Sequence, residues 1–187
     1  REIVAPERFV FVGSTSVYAQ NDGSEVTEES PAEPETETGR VLRQAENEVL
    51  AAGGFVARLG ALYAVGRWRW MERFLAGEAT LEGDGSRFVN RIHRDDAVTA
   101  LRLLLLGSAA PGIYNVTDGH PVTRRELYAS LAAHLNRPLP PDGPAREPRR
   151  RGNSNKRVSN ARVRALGWEP KRITLVDALQ PAEFNSP

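Results

Sequence analysis

Apolar residues in this chain fall into short unbroken runs separated by helix-spaced stripes, a pattern that predicts a parallel α/β sheet. Residues 8–18 read RFVFVGSTSVY, in which Phe9, Val10, Phe11 and Val12 show no polar alternation and Gly13 ends the run. That is how a strand buried on both faces reads. The acidic stretch 21–39, rich in Pro, Ser and Thr, reads as a long surface loop. Between 40 and 52, Val41, Leu42, Ala45, Val49 and Leu50 share one helical face, and Gly53 and Gly54 close the helix. A second buried run occupies 55–59. Strand, helix and strand in this order predict a right-handed crossover joining two parallel strands.

The pattern then becomes mixed. Residues 67–76 predict a helix whose stripe of Trp68, Met71, Phe74 and Leu75 reads as packing rather than as a binding surface. A turn at 82–86 precedes a short strand at 88–92, and Asp95 or Asp96 caps a helix that runs to about Leu106 and ends at Gly107. Residues 112–116 give another short strand. Thr123 and Glu126 have capping-box spacing ahead of a helix carrying Leu127, Leu131 and Leu135. The Pro- and Arg-rich stretch 138–152 is irregular. Ser159 opens a short helix ending near Gly167, one last helical turn or two spans 174–179, and QPAEFNSP forms a frayed tail.

Composition narrows the function classes. The 187 residues suffice for one domain, or one core with a small lobe, and 40% hydrophobic with 26% charged residues is ordinary for a soluble globular chain. A net charge of +1 gives no broad attraction to nucleic acid or to membranes. The absence of cysteine excludes disulfides, thiolate metal sites and a cysteine nucleophile, and three scattered histidines argue against a metal centre. No apolar run is long enough to span a membrane and the opening REIVAPER lacks a signal-peptide core, so a cytoplasmic protein is expected.

Candidate chemistry gathers after the first run. Ligands of open α/β sheets meet the carboxyl ends of strands. Ser14, Thr15, Ser16 and Tyr18 therefore stand where a ligand would be met, unless their hydroxyls only satisfy a strand-to-loop turn. Six basic residues, Arg146, Arg149, Arg150, Arg151, Lys156 and Arg157, lie close in sequence with only Glu147 opposing them.

The order of motifs is similar to that of a known family. STSVY after a buried strand, then FVARLGALYAVGR, GDGSRFVNRIHRDDAVTAL, GIYNVTDGHPVTRREL and SNARVRALGWEP, resembles the extended short-chain dehydrogenase/reductase family, the NAD-dependent epimerase/dehydratases. TETGRVLRQAE and KRVSNARVRALGW look most like an atypical bacterial subgroup. The resemblance implies an α/β fold: the C-terminal part of a Rossmann-like parallel sheet with a small mixed α+β substrate lobe. In that reading residues 1–66 form the second half of the Rossmann-type domain. Residues 67–187 are mainly the lobe, with segments near 88–107 returning to the core. It implies NAD or NADP as cofactor in the intact parent, with binding by this chain alone doubtful, and a nucleotide-sugar-like small-molecule substrate.

Residue by residue, the resemblance makes Ser14 the family's catalytic Ser/Thr and Tyr18 a site-lining tyrosine, with Ser16 beside the substrate. Arg58, Gly60 and Tyr63 match R-x-G-x-x-Y beside nicotinamide and substrate. Arg91, His93 and Asp95 lead into the helix under the lobe, and Arg157 lies where relatives contact a diphosphate. For His93 a hydrogen-bonded structural role, and for Asp95 a helix cap, are the leading readings.

Two departures stand out. The family's G-x-x-G-x-x-G dinucleotide motif is absent, and Arg1 precedes by only a few residues what the resemblance makes the fifth strand. A sheet begun there exposes an apolar edge, so the chain is expected to be a fragment, or to have its edge covered by another copy or chain. The catalytic Tyr-x-x-x-Lys is also missing. Gly39 and Arg43 stand in its register, and Arg43 could hold a cofactor ribose or phosphate but supplies no phenol. Three readings follow: an atypical NAD(P)-dependent epimerase or dehydratase, a non-catalytic NAD(P)- or metabolite-binding protein, and, weakest, nucleic-acid binding through 146–157. The basic stretch of the third has no interleaved aromatics.

Overall fold

The computed structural model describes residues 8–64, 69–144 and 154–178. The chain begins with β1 (Val10–Ser14), a 3-10 turn (Thr15–Val17), β2 (Glu25–Val26) and α1 (Glu37–Ala51). It continues through β3 (Phe55–Leu59), β4 (Ala61–Tyr63), α2 (Arg69–Leu75), β5 (Leu81–Glu82), β6 (Phe88–Val89), β7 (Arg91–His93) and α3 (Arg94–Leu106). Then follow β8 (Gly112–Val116), β9 (Val122–Thr123), α4 (Arg124–His134), β10 (Asp142–Gly143), β11 (Arg157–Val158) and α5 (Ala161–Arg164).

A parallel sheet of order β1-β3-β8 forms the centre, with Val10 opposite Phe55 and Phe55 opposite Gly112. The fold is thus α/β with the parallel pairing that the strand–helix–strand order predicts. All five residues of β3 are buried because it has a neighbour on each side and a helix over each face. Side chains alternate across a strand. Phe55, Ala57 and Leu59 therefore join Ala97, Ala100, Leu104, Val116, Val163 and Trp168 in an apolar layer under α3 and α5. Arg58, between them, points to the α1 side, where it meets Glu46. A second apolar cluster, holding Met71, Phe74, Leu81, Leu127, Tyr128 and Leu131, lies between α2 and α4.

Several expectations are corrected. β1 is the edge of this sheet among the described residues, and Val12 is 50% exposed rather than buried on both faces. On α1, Val41 faces solvent and the buried centre of the inner face is Glu46, because Arg58 and Arg43 hold its carboxylate there. The strand expected at 88–92 is broken at Asn90 into β6, which pairs with β9, and β7, which pairs with β4. The α3 cap is His93, whose Nδ1 accepts from the Asp95 N–H. Asp96 instead accepts the backbone N–H groups of Lys171 and Arg172, tying the C-terminal segment to α3. The Thr123–Glu126 capping box forms as read. Trp68, Arg146, Arg149, Arg150, Arg151 and the tail from 180 onward lie outside the described residues. No helix among the described residues is long and apolar enough to cross a membrane.

Candidate active site

The carboxyl ends of β1 and β3 open onto a cleft of about 580 Å³. Its lining is rich in hydroxyls, with Ser14, Thr15 and Ser16 from β1 and the turn after it, and Thr36 and Thr38 from the start of α1. Leu42, Leu59 and Leu62 make it partly apolar, and Phe88, Asn90, Arg124, Ser154 and Lys156 also line it. Ser14 caps the 3-10 turn, its Oγ accepting from the Ser16 N–H at 3.2 Å. That bond uses an oxygen lone pair and leaves the hydroxyl proton available to donate into the cleft. Gly60 also lines the cleft, and its missing side chain has a packing reason: a Cβ there would lie 3.0 Å from the Asn90 carbonyl.

Beneath this wall lies a buried polar layer. Arg58 donates from Nε and Nη2 to the two carboxylate oxygens of Glu46, at 2.9 and 2.7 Å, and its guanidinium sits 4.7 Å from the Tyr18 ring centroid. Arg43 adds a third donor to Glu46 at 2.8 Å. The Tyr18 hydroxyl donates to Asn115 Oδ1, and burial raises its pKa. Gly13 faces the same layer, where a Cβ would lie 3.2 Å from Glu46 Oε1. Tyr18, Arg43 and Arg58 thus engage one another below the cleft and are not among its lining residues. Gly39 does line it, but a Cβ at that position would overlap the Pro34 Cβ at 2.4 Å. With this backbone no side chain, and so no phenol, fits in the register that the resemblance gives to the tyrosine.

Tyr63 and Arg91 line a smaller adjoining cavity of about 130 Å³, which shares Ala61, Leu62, Val89 and Arg124 with the cleft. Arg91 is buried and donates to Asp118 at 2.9 Å. Burial raises the Tyr63 phenol far above its ordinary range. His93 is packed edge-on against Tyr63, ring centroids 5.1 Å apart, and burial lowers its pKa, which keeps the imidazole neutral as the cap of α3. Arg157 is exposed, donates to the Gly23 carbonyl and lies over the Phe88 ring.

Sequence reasoning missed Lys156. Grouped by sequence with the basic loop, it is instead 4% exposed and lines the cleft. Its Nζ donates to the Tyr18 carbonyl at 2.7 Å and to Ser154 Oγ at 2.6 Å. Burial alone pushes its pKa down to about 8. Asn90 fixes its backbone, donating to the Lys156 carbonyl at 2.8 Å and accepting from the Val158 N–H at 2.7 Å. One signal was available: of 25 basic residues only Lys156 and Lys171 are lysines. Glu46 had a signal too, as a charge set between Leu42, Ala45 and Val49 on the inner helical face.

No family model matches the chain. Over 132 residues it is 36% identical to protein YeeZ of Escherichia coli, a match covering 68% of this chain and 46% of that protein. It is 32% identical over 158 residues to 2'-dehydrokanamycin reductase of Streptomyces kanamyceticus, covering 75% and 45%. The chain spans about half the length of the curated relatives it matches. The human epimerase family protein SDR39U1, solved with NADPH, superposes with a TM-score of 0.81 over 97% of this chain and 66% of that one, at 21% identity. Other solved structures of this fold include one described as an NAD-dependent epimerase/dehydratase from Methylobacillus flagellatus, with a TM-score of 0.76 at 25% identity over 92% of this chain and 62% of that one, and MoeE5 in complex with UDP-glucose and NAD, with a TM-score of 0.74 at 25% identity over 88% and 60%. By its motif order, its parallel α/β fold and these relatives, the chain is similar to the extended short-chain dehydrogenase/reductases, the NAD-dependent epimerase/dehydratases.

Proposed function

We propose that the intact protein is an NAD(P)-dependent oxidoreductase of epimerase or dehydratase type, acting on a hydroxyl or ketone of a nucleotide-sugar-like substrate. The observation that carries the reading is Ser14, at the carboxyl end of β1, on the cleft, with a hydroxyl proton left to donate. A substrate oxygen held there is oriented and polarised by that donor. Ser16 and Gly60 form the adjacent wall, and Tyr63 and Arg91 line the side cavity, which suits the rest of the substrate. Arg157, exposed and over the ring of the cleft residue Phe88, suits a diphosphate, while Arg43, Arg58 and Tyr18 act from below by keeping the floor rigid.

The cofactor fits in part. Thr36 and Thr38 with Leu42, Leu59 and Leu62 make an amphipathic wall of the kind a nicotinamide and its ribose require. The 187 residues contain no glycine motif for the pyrophosphate, so they fit the nicotinamide end alone. When bound, that group supplies or accepts the hydride. The relatives solved with NAD or NADPH and with UDP-sugars support the choice of cofactor and substrate class. The open edge of β1 is where strands of a longer protein, or a second copy, would pair.

The second reading, a protein that binds cofactor without turnover, is favoured by the absence of room for a phenol at Gly39. One experiment separates the two. The full-length protein, titrated with NADH and with NADPH by fluorescence, is expected to bind one of them and to reduce phenanthrenequinone. Ser14→Ala should lower that turnover about 100-fold, the order of one lost donor at the reacting oxygen. Binding without turnover would favour the second reading, and no binding would remove both.

A further inference from the structure

Hydride transfer at a carbonyl needs a proton at the oxygen, and the family's usual source is excluded here by the Pro34 contact at Gly39. Among the described residues lining the cleft only Lys156 and Arg124 have titratable side chains. A guanidinium keeps its proton throughout the physiological range, whereas a buried ammonium can release it. Resting on the oxidoreductase reading, we propose that Lys156 is the group that gives and takes the proton at the reacting oxygen in this cleft.

The surroundings of Lys156 fit that task. Both hydrogen-bond partners, the Tyr18 carbonyl and Ser154 Oγ, are neutral, so among the described residues no carboxylate fixes the charge. None of the charged groups described on the neighbouring elements bonds its Nζ. On β2 Glu25 is exposed opposite Arg157, and Glu28 accepts from the Asn115 N–H. Arg157 reaches Gly23, the Tyr18 phenol reaches Asn115, and Arg124 stands on the cleft lining. Burial thus acts on Lys156 without a compensating charge, and its pKa of about 8 is matched to proton exchange near neutral pH. Asn90 holds the backbone on the C-terminal side of Lys156, through the Lys156 carbonyl and the Val158 N–H, and acts as its positioning residue.

In the reducing direction the carbonyl carbon would receive a hydride, two electrons and one hydrogen, from a reduced nicotinamide when one is bound. The carbonyl π bond opens onto oxygen, and the oxygen takes a proton from the Lys156 ammonium. The products are an alcohol, the oxidised nicotinamide and a neutral amine, which regains its proton from water. Oxidation of an alcohol runs the same steps backwards, with the amine as base.

The test uses the full-length protein in two measurements. In the first, competitive labelling with acetic anhydride across pH, read by mass spectrometry, reports the titration of Lys156 beside Lys171. A Lys156 midpoint near 8, well below that of Lys171, supports the proposal, and a shared midpoint overturns it. In the second, phenanthrenequinone reduction is followed in the wild type, Lys156→Arg and Lys156→Met. Proton transfer predicts a fall in kcat of about 100-fold or more in both variants, with NAD(P)H binding kept and the pH profile near 8 lost. If Lys156→Arg keeps kcat and Lys156→Met changes only KM, the residue binds an anion instead and the proposal is overturned. A wild type that binds no NAD(P)H overturns the oxidoreductase reading and this inference with it. A wild type that binds and reduces, with variants equal to it in kcat, overturns this inference alone.

Discussion

Arg58 and Lys156 are both buried cations, 1% and 4% exposed, and both touch Tyr18, one over its ring and the other through its carbonyl. Arg58 is met by a carboxylate on two parallel hydrogen bonds, with Arg43 backing the same carboxylate. Lys156 is met by a carbonyl and a hydroxyl. A buried charge without an opposite partner is costly, and its ordinary response is a shifted pKa. The first arrangement locks α1 onto the sheet. The second keeps a proton exchangeable at the cleft, and this separates the residues that hold the site from those that act in it.

The difference can be broken most severely at Glu46. Glu46→Ala would make Arg58 resemble Lys156, leaving a buried guanidinium unpaired at a cost of about 3–5 kcal/mol. Chemical denaturation should show it as a fall in midpoint with α1 loosened. Restoring stability by the double change Glu46→Leu with Arg58→Met would confirm that the pair is structural. The smallest effect is expected at Arg43, whose side chain is 27% exposed and whose partner keeps Arg58. Arg43→Ala should cost about 0.5 kcal/mol and leave cofactor affinity unchanged, whereas a cofactor-holding Arg43 would show a raised Kd in the NADH and NADPH titrations.

The central sheet was legible because its strands are continuous apolar runs. β3 at 55–59 and β8 at 112–116 emerged with the bounds their sequences suggest. β1 was harder, since an apolar run does not say which strand will lie at the edge, and Val12 is half exposed. The segment 88–92 misled because at its break the Asn90 side chain bonds Lys156 and Val158, 66 and 68 residues later. Ser14, Ser16 and Gly60 come together at the cleft in the structure, while Tyr18, Arg43 and Arg58 lie beneath it. That sorting follows from strand parity and from Glu46, which helical periodicity sets on the inner face although its charge alone would suggest solvent. Lys156 stood out among the arginines only as a lysine, because its burial comes with the pairing of the following residues, β11, to β2.

The most direct measurement is the stability of the full-length wild type against Lys156→Met at pH 7 and at pH 10, by denaturant unfolding. The folded-state pKa of Lys156 lies below its ordinary 10.5, so the fold favours the neutral amine. Its contribution is present above the unfolded value and is lost as pH falls through about 8. The account predicts that the wild type gains about 2–3 kcal/mol on the variant between the two pH values, whatever their order at pH 7. A difference that stays constant from pH 7 to pH 10 would show that Lys156 is not a desolvated, uncompensated cation, and would contradict the role given to it in the cleft.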